Sequence, residues 1–277
     1  MLTQISAEGK VVWGMTVLID QVFIGRCWTP EIEVYDRATL TLQRRLAVSG
    51  LTVPSDMTSS IKYNCLFIAD IGYVDNTKMS VHRLELNGTT TKWPLSDKPR
   101  GLSMTPDGSN IIVTCDEVRK LQEYTTHGDL VREILLQEDM VNQVHAVQLT
   151  SGQFVVCHAN SSDQLHRVCL VYANGCVTKC FGGQPGSAAR QMLYPLHLAV
   201  DQDESILVVD RARRVLLLSA SLDDVRELVP PREVTKGWCP ARLYLDERHG
   251  VLYVIENEWD GKAHIAGQLL TYQVKTM

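Results

Sequence analysis

Tyr194-Pro195-Leu196-His197-Leu198-Ala199-Val200-Asp201, running on to Ile206-Leu207-Val208-Val209-Asp210 and then to Arg214-Val215-Leu216-Leu217-Leu218, decides the reading of this chain. An apolar run opened by a proline meets an Asp turn, a second β-branched run ends on Asp, and a short loop leads to Arg followed by more apolar residues. Runs of this length, rich in Val, Ile and Leu and bounded by turn residues, read as strands rather than helices.

The same unit recurs. Pro54-Ser55-Asp56-Met57, Pro99-Arg100-Gly101-Leu102 and Pro240-Ala241-Arg242-Leu243 open similar segments, and Val12-Trp13-Gly14-Met15 and Val144-His145-Ala146-Val147 fit the slot without proline. Six units therefore open near 12, 54, 99, 144, 195 and 240 and fill 1–277 as one domain. Each has two apolar strands, a third that alternates (Glu31-Ile32-Glu33-Val34-Tyr35), a Gly-containing turn (Asn87-Gly88, Asn174-Gly175) and a polar fourth strand. Four short strands at this period are the signature of a β-propeller. The expected fold is all-β, a six-bladed propeller of four-stranded antiparallel blades. The sixth unit ends after its third strand, at Gln268 to Val274. Residues 1–10 are expected to supply its outer strand and to remove a free sheet edge.

The proline-opened unit with its Asp and Arg positions resembles an NHL repeat, most closely in blades three to five. NHL propellers often form the C-terminal domain of tripartite-motif (TRIM) proteins, where they recognise a partner protein or RNA while upstream segments carry ubiquitin-ligase activity. The resemblance implies a recognition module. It assigns Lys120, Arg167 and Arg214 to bracing the blades.

Composition narrows the possibilities. The net charge is −5, so no general basic field draws nucleic acid. The sequence shows no signal peptide and no apolar run of membrane-spanning length. Eight cysteines lie mostly in apolar runs without a CxxC pair, which favours reduced, buried thiols and a cytoplasmic location. Two glycosylation sequons, at Asn87 and Asn160, leave secretion open. An isolated monomer with no cofactor is expected.

Two relatives of the fold carry out chemistry. Peptidylglycine lyase holds zinc through His residues that follow the blade-opening position. The matching residues here are taken as Trp13, Ser55, Arg100, His145, Leu196 and Ala241, with His197 one step out. His145 and His197 then read as ordinary polar residues near the axis, and no metal is assigned. Calcium-dependent lactonases gather oxygen ligands at the channel. Asp70, Asp116, His158, Asp210 and Glu256 end the second strands and are expected around one channel mouth, mainly as loop braces. No nucleophile elbow or phosphate loop is present, and the chain is expected not to be an enzyme.

The loops after the second strands and the links between blades leave on one face. All five tryptophans map to that face: Trp28 and Trp259 after second strands, Trp13 and Trp238 at inner strands, Trp93 in a link. With Tyr73, Trp28 and Trp259 form the expected aromatic patch, joined by Arg26, Arg100, Arg119 and Arg211. Aromatics with Arg suit a protein or peptide partner. Single-stranded RNA is the alternative ligand, and a calcium-dependent, lactonase-like hydrolase the alternative activity.

Overall fold

The computed structural model describes residues 4–7, 10–72, 79–160, 165–229, 237–259 and 264–274. Six four-stranded antiparallel sheets follow one another as the blades of a propeller. Their innermost strands are Val12–Leu18, Pro54–Ser60, Pro99–Met104, Gln143–Gln148, Pro195–Val200 and Trp238–Asp246. Among the described residues the sole helical segment is one 3-10 turn, Glu247–His249.

The pattern of apolarity explains the layering. Second strands such as Cys65–Asp70 and Ile206–Asp210 are buried along their whole length, because they pack against blades on both sides. Outer strands such as Leu42–Ala47 are exposed nearly throughout. The core runs between blades: Val12, Met15 and Ile24 of blade one pack with Tyr253, Ile255 and Leu269 of blade six. Blade six takes three strands from the C-terminal end, and its fourth is Gln4–Ala7, with Gln4 opposite Leu270 and Ala7 opposite Gly267. The side-chain amide of Asn257 adds a second closure. Its Oδ1 accepts the Val12 N–H at 3.0 Å and its Nδ2 donates to the Val12 carbonyl at 2.8 Å.

The cysteines and Trp93 depart from the sequence reading. Cys169 and Cys180 face each other on adjacent strands of blade four and form a disulfide, so these two are not reduced thiols. Trp93 is not in a link. It sits in the fourth strand of blade two, 8% exposed, against Phe67 and Tyr124.

Candidate functional site

Every innermost strand carries a register shift at the same point. The shift lies between Val12 and Gly14, Pro54 and Asp56, Pro99 and Gly101, Gln143 and His145, Pro195 and His197, and Pro240 and Arg242. A bulge re-aims the residue that follows it. The six equivalent residues are thus Gly14, Asp56, Gly101, His145, His197 and Arg242, one from each blade. Blade four opens at Gln143 and not at Val144. That one-residue correction puts His145 and His197 in step, and no histidine remains in the position next to the blade opening.

Four of the six build a buried polar hub. Asp56 is 1% exposed and Arg242 4%. The Asp56 carboxylate accepts the Leu102 N–H at 2.8 Å. The Arg242 Nε lies 3.4 Å from its other oxygen. The Nε2 atoms of His197 and His145 lie 3.7 and 3.6 Å from the carboxylate. The imidazoles stack on each other at 3.9 Å, and the His145 Nε2 lies 3.1 Å from the Leu102 carbonyl, which makes it the protonated nitrogen. Room for this stack comes from Gly101, where a Cβ would lie 2.7 Å from both the His145 ring and the Val144 carbonyl.

One carboxylate and one guanidinium already balance in charge. A proton on either imidazole would leave a buried net cation. Burial, with repulsion from His197 next, drives His145 down to about 3. Burial also lowers His197. Burial alone would raise Asp56, but His197, Arg242 and His145 together hold it well below the usual carboxylate range. Asp56, His145 and His197 lie close enough to share one cation. The Arg242 guanidinium already occupies that carboxylate, so the donor set fits an ion-pair hub better than a metal centre.

Above the hub, on the loop face, lies a pocket of about 340 Å³. Trp13, Trp28, Val53, Pro54, Ile71 and Pro99 form its walls, and Lys98, Arg100 and Arg242 bring cations to it. Arg242 stacks 5.6 Å from the Trp13 ring and donates to the Ser55 and Ala241 carbonyls at 2.8 Å each. Arg100 and Lys98 both reach Asp116, at 2.9 and 3.3 Å. Trp28 is 55% exposed and has φ 59°. It occupies the left-handed turn position held in blade two by Gly72 and in blade three by Glu117, and the turn points the indole outward.

The residues expected at the channel mouth are engaged in bracing bonds. Each makes its bonds within its own blade, between the end of strand two and strand three or a neighbouring loop. Asp70 takes the N–H groups of Thr52, Val53 and Gly72 and faces His82 at 3.4 Å. His158 accepts from Arg167 at 3.0 Å. Asp210 pairs with Arg214 at 3.1 Å. Glu256 accepts from Gln268 at 2.7 Å. In blade three the equivalent residue is Cys115, whose thiol meets Gln122; Asp116 comes one residue later and takes Arg100 and Lys98.

The expected binding face divides likewise. Trp28 and Arg100 share the pocket. Arg26 is buried in the slot equivalent to Asp70, pairing with Glu33 at 2.8 Å and donating to the Lys10 carbonyl, so it serves the blade and not a surface. Arg119 lies in a separate groove with Glu138 and Asp139. Arg211 covers the Tyr194 ring on blade five. Tyr73 and the side chain of Trp259 fall outside the described residues.

No protein-family model matches the chain, and no curated protein matches its sequence. Solved structures do. Streptogramin B lyase is 14% identical, with 99% of this chain and 88% of that one aligned at a TM-score of 0.66. Hydrazine synthase of Kuenenia stuttgartiensis is 15% identical over 94% and 80%, TM-score 0.65. A chain of a nidogen/laminin complex is 15% identical over 80% and 81%, TM-score 0.63. Such likeness shows the six-bladed propeller. It also corrects the expectation of a chain without chemistry: two of these neighbours are named as enzymes, so the architecture gives no ground for excluding catalysis.

Proposed function

We propose that the chain is a recognition propeller that binds a protein or peptide partner on the loop face, through the pocket between Trp13 and Trp28. The observation that carries this reading is the exposed Trp28 indole, held over a concave apolar pocket with cations in its lining. Rigid aromatics beside Arg are the usual anchors of such interfaces. A nucleic-acid track is less well served. Lys98, Arg100 and Arg242 gather at one pocket of about 340 Å³, room for a terminal residue and not for a run of nucleotides. The NHL resemblance extends the reading to a substrate-recognition part of a ubiquitin-ligase-type protein.

The test is selection from a random octapeptide library with the wild-type chain and with Trp28→Ala. Sequences enriched by the first and lost by the second support the reading. A library that yields nothing dependent on Trp28, alongside saturable and steeply salt-dependent binding of single-stranded RNA, would replace it with the RNA reading.

A further inference from the structure

We infer that the pocket over the hub is a carboxylate-reading site, built for the C-terminal residue of a peptide that ends in an apolar side chain. The inference rests on the recognition reading above and names the ligand's chemistry.

The pocket adjoins the hub through Arg242. Arg242 lies at its base, and beneath it Asp56, His145 and His197 are buried. Three cationic side chains line the pocket, and the carboxylates that pair with them, Asp116, Glu117 and Asp56, lie outside the lining. Arg242 is pinned by two backbone carbonyls and by stacking on Trp13, so it is already oriented when a ligand arrives. Arg100 is partly exposed and offers planar N–H donors suited to an anion.

The remaining lining is mostly apolar: two indoles, two prolines, a valine and an isoleucine, with Cys27 and Ser55. The ligand must therefore bring an anion and an apolar body through one mouth, and the volume lies at the small end for a ligand site. A C-terminal Leu or Phe carries both on a single Cα. An internal Asp or Glu would need a neighbouring side chain to enter beside it and two chain ends to leave.

The probes are acetyl-Gly-Gly-Leu with a free carboxylate, the same peptide with an amide end, acetyl-Gly-Leu-Asp-Gly-amide, and a 5′-phosphorylated RNA hexamer. Binding is read from the indole N–H signals of 15N-labelled protein, assigned with Trp13→Phe and Trp28→Phe. The free acid is expected to shift both indoles and to bind about tenfold or more tightly than the amide. Arg100→Gln, which alters a surface side chain, should shrink that ratio while leaving the remaining indole signals in place. Equal affinity for acid and amide, tighter binding of the internal aspartate peptide or of the RNA, or no shift with any probe would each overturn the inference. Trp28-dependent library peptides that ignore the free carboxylate would leave recognition standing and remove this inference. Acid-over-amide discrimination without library binders would confine recognition to free C-termini and uphold the inference.

Discussion

Asp56 is the residue on which the centre of the molecule turns. It meets a guanidinium, two imidazoles and a backbone N–H that come from four other blades. Removing one partner of a buried pair leaves the other charge uncompensated, at about 3–5 kcal/mol. Asp56→Ala is accordingly expected to lower stability in urea unfolding by that amount. Asp56→Leu with Arg242→Met should recover a good part of it, which a double-mutant cycle would show. The histidines add a pH dependence. Unfolded His145 takes a proton near its ordinary 6.5, whereas the folded residue resists until about 3. The unfolded state then binds more protons in this window, so stability falls as pH drops from about 6.5 towards 3, at about 1.4 kcal/mol per pH unit for one such group. His158, pushed down to about 4 chiefly by burial, acts in the same direction. Denaturation curves at pH 7 and pH 4.5 should differ, and His145→Gln should reduce the difference.

At the scale of strands, much was legible and one offset was not. Pro54, Pro99, Pro195 and Pro240 marked four blade openings because proline suits the first residue of a strand. Blade four has Gln143 in that slot, and the apolar Val144 beside it matched Val12, which displaced the unit by one. The spacing Pro54-x-Asp56, Gln143-x-His145, Pro195-x-His197, Pro240-x-Arg242 carried the hub in plain view. The bulge that turns this position inward depends on backbone register, for which no residue type is required, so the hub stayed hidden. The same limit applies to Arg26 and Trp93, whose burial is set by packing partners distant in sequence. Trp28 was legible because its turn lies directly after a recognisable strand. In blade four the Cys169–Cys180 link ties two adjacent strands across a short loop. Mass spectrometry after alkylation without reductant should show these two cysteines unlabelled, and Cys169→Ser with Cys180→Ser should lower stability by about 2–3 kcal/mol.

Across the whole molecule, six similar units make a ring whose hydrophobic clusters bridge blades, four of them joining two neighbours and one running through blades four, five and six. Stability is therefore shared along the ring. The junction between blades six and one is the place where it can open, since Gln4–Ala7 and Asn257 hold it. Deleting residues 1–9 should lower the melting temperature and promote association through the exposed edge of His264–Gln273, measurable by calorimetry and light scattering. Trp28→Ala should leave that temperature unchanged, because the indole is half outside the fold.

The pairing of Gln4–Ala7 with the last strand also sets a timetable. On the ribosome, Gln4–Ala7 emerges before the other strands of the propeller and must wait for all of them before its neighbour exists. Five sheets can form in order as they are synthesised, but the sixth cannot be completed until Leu270 has left the exit tunnel. For that interval the nascent propeller carries an unmatched strand ahead of its first blade, and a chaperone that shields short extended segments would find it there.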